Sequence, residues 1–267
     1  MSVISKIIAD ACSSHNGSRE LMERMIFEAA KTGIDIIKWQ SFRADKLNKK
    51  WPDYKKSLAY YKSVELDEAT HAFVMEKCRV HGIEPLFTAF DLDSAKMLYR
   101  LGMRTVKIAS PDANNWELID WCLTEFDRIL ISTGLHTHNE INDLVNRVFD
   151  YHEKVTLLHC ISLYPTPLDK VNLFHMAALM KVWPSVGFSD HSLGTDAAKI
   201  AMNLGAACIE KHFTLDRTMP GKDQSMSSDV DDFKELVEWR NTIKKVMYCA
   251  EKDVDKENRK YIGRWNK

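Results

Sequence analysis

The sequence predicts an α/β fold, a single-domain (β/α)8 TIM barrel, on three observations. Eight short apolar runs rich in β-branched residues alternate with longer helix-patterned stretches. The runs are apolar throughout, as in parallel strands covered on both faces. Four helical stretches end at a glycine set just before a run: Gly33, Gly82, Gly102 and Gly205. Glycine accepts the left-handed conformation that stops a helix, so helix, glycine, strand reads as half of a βαβ unit.

Each element follows in order. The expected strands are Lys6–Ala11, Ile34–Gln40, Glu84–Phe90, Thr105–Ser110, Arg128–Thr133, Val155–Cys160, Ser185–Asp190 and Ala207–Phe213. Between the first two, Leu21, Met22, Met25, Ile26 and Ala29 form one helical stripe. Ala197, Ala201 and Leu204 repeat the pattern in the seventh helix, and Phe233, Leu236, Val237, Ile243 and Met247 in the last. Units of about 33 residues suit a closed barrel. An open doubly wound sheet is the alternative, but no GxGxxG follows the first strand. The barrel is expected over 1–250, with 251–267 as a tail. The connection Ser41–Leu66 is long and mixes Arg43, Lys46, Lys49, Lys50, Lys55 and Lys56 with Trp51, Tyr54, Tyr60 and Tyr61. On the catalytic face it is either a lid or a solvated basic insertion packed on the rim.

Composition narrows the function. The 267 residues carry 37 Lys plus Arg against 38 Asp plus Glu, a net charge of −1. Such balance argues against a nucleic-acid or membrane-surface partner. No run of about 18 uncharged apolar residues is present, so no membrane span is expected. The N-terminus lacks the pattern of a secretory signal. The 6 cysteines are scattered with no CxxC pair, as expected of reduced thiols in a cytoplasmic protein.

A barrel places its chemistry at the C-terminal ends of its strands. Those ends carry Asp10; Lys38 and Gln40; Thr88 and Asp91; Lys107, Ser110 and Asp112; Ser132 and Thr133; His159, Cys160, Ser162 and Tyr164; Ser189, Asp190 and His191; and Glu210, Lys211 and His212. Desolvating so many polar groups is costly unless they are paired or used. Lys107, Ser110, Ser132 and Ser189 suit a phosphate, helped by backbone N–H groups of the Ser132-Thr-Gly134 turn, and Lys38 a second anionic group. His191 and His212 end adjacent strands and suit a divalent cation, with Asp10, Glu210 and Asp223 as candidate carboxylate partners. Two nitrogen ligands with oxygen favour Mn2+, Fe2+ or Co2+ over Mg2+. Cys12 and Cys160 read as small buried thiols rather than ligands. His159 is expected to position groups inside the mouth; His15, His136 and His138 read as loop polar residues.

These residues fall in segments that resemble the sialic acid (N-acetylneuraminate) synthase family. The segments are Ile7-Ile-Ala-Asp-Ala11, His15-Asn-Gly17, Lys38-Trp-Gln-Ser-Phe42, Thr88-Ala-Phe-Asp91, Lys107-Ile-Ala-Ser110, Ser132-Thr-Gly134 and His159-Cys-Ile-Ser-Leu-Tyr-Pro-Thr-Pro167. Gly187-Phe-Ser-Asp-His-Ser-Leu-Gly194, Ile209-Glu-Lys-His-Phe-Thr-Leu-Asp216 and Pro220-Gly-Lys-Asp223 complete the match. The resemblance implies a metal-dependent transferase that condenses phosphoenolpyruvate with an open-chain, N-acetylmannosamine-like or related aldose, giving a sialic-acid-like 2-keto acid and phosphate. It implies that Thr88, Lys107, Ser110, Ser132 and Ser189 hold phosphoenolpyruvate, and that His191 and His212 hold the metal, Mn2+ being favoured over Mg2+, Co2+ and Fe2+. Asp10, Lys38 and Glu210 become the catalytic residues; Gln40, Ser162, Tyr164 and Asp223 join the substrate-binding set.

There are departures. The family usually has Glu where this chain has Asp10 and Asp112, and often Asn where it has Ser162 and His where it has Gln224. The residues Glu257-Asn-Arg-Lys260 resemble the start of the linker to a small antifreeze-like domain that these residues do not include. The expectation is therefore a related synthase that uses a different aldose, or one that relies on its long second connection, with a homodimer and a separate sugar-recognition domain as candidate partners. Two competing readings remain: a Schiff-base aldolase using Lys38 or Lys107, and a non-catalytic, regulatory barrel that binds phosphoenolpyruvate and metal.

Overall fold

The structure, a computed structural model, describes residues 4–247 together with Lys260 and Ile262. Most of the expected 251–267 tail, and Cys249, lie outside the described residues. The strands are β1 (Lys6–Cys12), β2 (Ile36–Ser41), β3 (Glu84–Ala89), β4 (Thr105–Ile108), β5 (Arg128–Ser132), β6 (Val155–Cys160), β7 (Val186–Asp190) and β8 (Cys208–His212). The helices are α1 (Arg19–Thr32), α2 (Tyr54–Val64), α3 (Glu68–His81), α4 (Leu92–Arg100), α5 (Trp116–Glu125), α6 (His138–Val148), α7 (Leu173–Leu179), α8 (Asp196–Asn203) and α9 (Val230–Met247). The strands close in sequence order, and the β1–β8 pairing, Lys6 opposite Cys208 through Asp10 opposite His212, seals the barrel.

Local chemistry sets these boundaries. Ser18, Asp67 and Asp91 each accept a backbone N–H at the start of α1, α3 and α4, and Thr137 forms a reciprocal capping box with Glu140 at α6. Gly33 and Gly82 end α1 and α3 with φ of 83° and 67°; Gly102 and Gly205 follow α4 and α8 in the same left-handed region. The strands therefore stand where the apolar runs predict them, with small differences. The turn out of Gly33 delays β2 to Ile36, and β4 stops at Ile108 because Ser110–Asp112, with Pro111, turns as a short 3-10 helix. Leu204 and Met247 are 46% and 65% exposed rather than buried. The second connection is not a bare loop: it contains α2, whose Tyr61 packs edge-on against Phe42 at 5.4 Å.

Strand residues facing outward, among them Ile7, Ile37, Trp39, Phe87, Ile108, Leu157 and Phe188, merge with the helices in one large apolar core. Facing inward, Ile8, Ile36, Leu86, Leu130, Leu158 and Cys208 form a separate cluster. This plug is the floor on which the site rests. Gly187 makes room for it: a Cβ there would lie 2.5 Å from Cys208 Sγ and 2.8 Å from its carbonyl oxygen. Gly187→Ala is therefore expected to cost about 1–3 kcal/mol in urea unfolding, with part regained in the Gly187→Ala/Cys208→Ala double variant.

Candidate active site

Side chains alternate across a strand, so the residue two positions beyond each floor residue also faces inward. Counting two onward from Ile8, Ile36, Leu86, Thr105, Leu130, Leu158, Gly187 and Cys208 reaches Asp10, Lys38, Thr88, Lys107, Ser132, Cys160, Ser189 and Glu210. All of them line one cavity of about 250 Å³ at the barrel mouth. Cys12, Gln40, Ser110, Tyr164, His191, His212, Asp223, Phe90 and Met226 complete its wall. Thus every substrate-binding, catalytic and metal residue expected from sequence lines the cavity except Ser162. That hydroxyl is buried without a hydrogen-bond partner behind the wall, because β6 ends at Cys160 and alternation no longer aims the chain inward.

The charges are interleaved. Lys38 Nζ lies 2.7 Å from Asp10 Oδ2 and 3.5 Å from Glu210 Oε1, and Lys107 Nζ lies 3.5 Å from the same Oε1. Lys38 also donates to Thr88 Oγ1 at 3.1 Å, Lys107 to Ser132 Oγ at 2.6 Å, and Ser189 Oγ to Glu210 Oε1 at 3.0 Å. All four charged groups are buried. Burial alone would raise the Asp10 carboxyl, but the charges of Lys38 and His212 outweigh it and hold the group at about 2. Burial likewise opposes the Glu210 carboxylate, yet Lys107 and Lys38 together keep it below its ordinary range. Burial opposes the Lys38 ammonium, and Asp10 and Glu210 prevail to raise it. Glu210 is lopsided: Oε1 faces three donors, while Oε2 is buried with no partner.

Anion-binding groups gather on the β4–β5–β7 side. Lys107, Ser132 and Ser189 are joined through Glu210, and Ser110 Oγ accepts from Gly134 N–H at 3.2 Å beside Cys160 Sγ at 3.0 Å. Gly134 is required there, since a Cβ would stand 2.3 Å from Cys160 Sγ.

The cation candidates gather on the β1–β7–β8 side. The rings of His191 and His212 lie 5.3 Å apart, with Tyr164 4.3 Å from the first and 5.7 Å from the second. His191 Nδ1 faces the Ile161 carbonyl at 2.8 Å, which fixes Nδ1 as the protonated nitrogen and leaves Nε2 its lone pair. Burial, with His212 nearby, lowers the His191 imidazole to about 4, so it is neutral and fit to bind a cation near neutrality. His212 Nε2 lies 4.0 Å from Asp10 Oδ2, and its Nδ1 is buried without a partner. Asp10, Cys12 and His212 offer ligand atoms all within 4.8 Å of one another. Two imidazoles, a carboxylate and unsatisfied polar atoms in one wall fit a divalent cation.

Several features were not expected from sequence. Ser13 donates its backbone N–H to Asp223 Oδ2 at 3.2 Å; its hydroxyl also bonds that oxygen and meets Tyr60 OH at 2.6 Å. Lys222 Nζ sits 3.8 Å from the centre of the Tyr60 ring. The insertion is thereby tied to a cavity carboxylate, closer to a rim buttress than to a solvated loop. Gln224 is structural: buried, it donates to the Ser14 carbonyl at 2.9 Å and accepts from Thr214. Asp112 is pushed up to about 6 by burial, opposed by Asn115 and aided by Asp91. His159 corrects an expectation: it faces outward, stacks on Phe188 at 5.8 Å and pairs Nε2 with the Val171 carbonyl at 2.9 Å. Alternation against inward Leu158 and Cys160 carried that signal. His15 stands in a turn, as expected of a loop polar residue, but it is buried beside Trp39, at 5.8 Å, and burial lowers it to about 4. Lys211 pairs with Asp190 at 2.8 Å, apart from the cavity.

Comparison with known proteins agrees with this geometry. The model of the NeuB family matches residues 25–252. The N,N'-diacetyllegionaminic acid synthase of Legionella pneumophila is 34% identical over 263 residues, covering 92% of this chain and 74% of that protein. Its namesake from Campylobacter jejuni is 35% identical over 272 residues, covering 96% and 81%. The crystal structure of N-acetylneuraminic acid synthetase from Leptospira borgpetersenii, in complex with citrate, superposes with a TM-score of 0.88 at 29% identity, covering 96% of this chain and 90% of that one.

The charge ladder predicts an unusual pH response. In the wild type Asp10 stabilises the fold above its unfolded value and loses that contribution only as pH falls through about 2. Lys38→Met leaves Asp10 buried without its main counter-charge, at a cost of about 3–5 kcal/mol near neutrality. The Asp10 carboxyl should then titrate above its unfolded value, so the variant's deficit should shrink as pH is lowered from about 7 to about 5. Urea unfolding of both proteins across that window checks the sign.

Proposed function

The chain belongs to the NeuB family, and on that premise we propose that it condenses phosphoenolpyruvate with an open-chain, N-acetylated aldose to give a sialic-acid-type 2-keto acid and inorganic phosphate. Its relatives are N,N'-diacetyllegionaminic acid synthases, and a structural neighbour is an N-acetylneuraminic acid synthetase. The observation that carries the reading is the buried Asp10–Lys38–Glu210–Lys107 ladder, edged by Thr88, Ser110, Ser132 and Ser189 on one flank and by His191 and His212 on the other.

In this reading the phosphate takes the donors of Lys107, Ser110, Ser132 and Ser189, and the carboxylate turns toward Lys38 and Thr88. Charge-assisted hydrogen bonds of this kind are short and strong in a dry cavity. A divalent cation held by His191 and His212, a pair that by itself suits Mn2+, Fe2+ or Co2+, would act as a Lewis acid on the aldehyde oxygen. The enol carbon forms the new carbon–carbon bond with the aldehyde carbon. That leaves an oxocarbenium at the carbon bearing the phosphate; water adds there, and the hydroxyl so formed collapses to the ketone as phosphate leaves with cleavage of its carbon–oxygen bond. Glu210 is the base for that water. The incoming phosphate takes Lys107 and Ser189 away from Oε1 and the substrate carboxylate takes Lys38, the three groups that hold Glu210 below its ordinary range, and Oε2 already faces no competing donor. Lys38, which Asp10 keeps charged, gives a proton to the nascent hydroxyl. Gln40, Tyr164 and Asp223 hold the sugar, and Tyr60 orients Asp223 through Ser13.

A Schiff-base aldolase needs a neutral lysine. Asp10 and Glu210 raise Lys38 instead, which speaks against that alternative. None of the described helices is long and apolar enough to cross a membrane, and the five described cysteines are free and buried, in keeping with a cytoplasmic setting.

Phosphate release from phosphoenolpyruvate with Mn2+, scanned over N-acetylmannosamine and mono- and di-N-acetylated hexoses, tests the reaction. Release that requires one acceptor is expected, and silence with every acceptor would overturn the reading. Glu210→Gln should lower kcat by about 10²–10⁴-fold with little change in phosphoenolpyruvate KM. Tyr60→Phe should raise the KM for the aldose several-fold, on the order of 1 kcal/mol for one hydrogen bond, and leave the phosphoenolpyruvate KM unchanged.

A further inference from the structure

Cys12 has no place in the mechanism above, yet its surroundings are those of a ligand. Its Sγ, an Asp10 carboxylate oxygen and a His212 ring nitrogen lie within 4.8 Å of one another on the wall of the cavity. The β1–β2 pairing slips between Asp10 and Cys12, and Cys12 takes a φ of 43°. A branchless glycine would adopt that backbone freely, whereas cysteine does so at a cost of about 1–3 kcal/mol. The slip brings the Cys12 N–H to Asp10 Oδ1 at 3.1 Å, which turns Oδ2 toward His212 Nε2. Oδ2 also meets Lys38, and a carboxylate oxygen has a lone pair for each neighbour. Independently, Glu210, itself buried, points Oε2 without a partner in the same cavity, and His212 Nδ1 is likewise unsatisfied.

We propose that Cys12 ligates the active-site cation as a thiolate, alongside Asp10 and His212, with His191 as the donor across the cavity. The proposal rests on the condensing-synthase reading only for the cation's role, not for its ligands. On binding, the Sγ–H bond breaks, a sulfur–metal bond forms and one proton passes to solvent. A thiolate favours softer ions, so Zn2+, Co2+ and Fe2+ should outcompete Mn2+ and Mg2+ at this site, although a histidine–carboxylate set alone accommodates Mn2+.

Co2+ titration of the full chain tests this directly. The wild type should show a near-ultraviolet thiolate-to-Co2+ charge-transfer band and release a proton per ion bound. Cys12→Ser should lose the band and weaken Co2+ binding by more than about tenfold. Cys12→Gly, which relieves the strained backbone, should lose it equally while remaining folded by circular dichroism. Cys160→Ser should keep it. Absence of the band in the wild type, or its survival in Cys12→Ser and Cys12→Gly, would overturn the assignment. Phosphate release is measured separately: turnover without the band removes Cys12 but spares the synthase, and the band without turnover does the reverse.

Discussion

Four buried charges from four strands govern the design of this barrel. Asp10 comes from β1, Lys38 from β2, Lys107 from β4 and Glu210 from β8, and each meets its opposite within 3.5 Å. None is tolerable alone at such burial, because an uncompensated ion in the interior costs several kcal/mol. They are tolerable together only if the strands keep register, since a slip of one residue would turn every one of them into the helix layer. The apolar floor beneath supplies that register. The site and the fold are thus one constraint: the floor fixes the phase, and the phase delivers the charges.

This is why so much of the site was legible. Alternation is local, so once a run was recognised as a strand the inward residue beyond its apolar anchor followed. Lys38, Lys107, Ser132, Ser189 and Glu210 were found as the polar residues that end the apolar runs, and alternation is what turns them into the cavity. What escaped was set by nonlocal or irregular backbone. The contacts that join Ser13 to Tyr60 and to Asp223 span 47 and 210 positions and form only in three dimensions. Cys12 follows a register slip that no periodicity encodes. Ser162 lies past the end of its strand, where alternation has no authority. His159 is the instructive miss: its apolar and small neighbours, Leu158 and Cys160, already assigned it to the other face.

The departures from the family pattern also divide by environment. Gln224 fills both its hydrogen-bonding ends with Ser14 and Thr214, which makes it part of the rim's framework. Asp10 is different, because it stands in the ladder itself. Its short side chain keeps one oxygen on the Cys12 N–H and the other on Lys38. Asp10 thereby ties the irregular end of β1 to β2. The shortened acid and the unusual Cys12 backbone are therefore two parts of one local arrangement on β1.

In the proposed reaction the charge pattern also couples the two ligands that the site would hold. With two ammonium and two carboxylate groups, the ladder is close to neutral by itself, so an anion or a cation arriving alone would leave net charge in a low-dielectric pocket. An enol phosphate that also bears a carboxylate brings negative charge to the Lys107 flank, and a divalent cation brings positive charge to the His191–His212 flank. Each screens the cost of the other across a cavity of about 250 Å³. On that reading binding of the two would be mutually reinforcing, and by linkage each would raise the affinity of the other by the same factor. The coupling needs no moving part, only the fixed ladder between them.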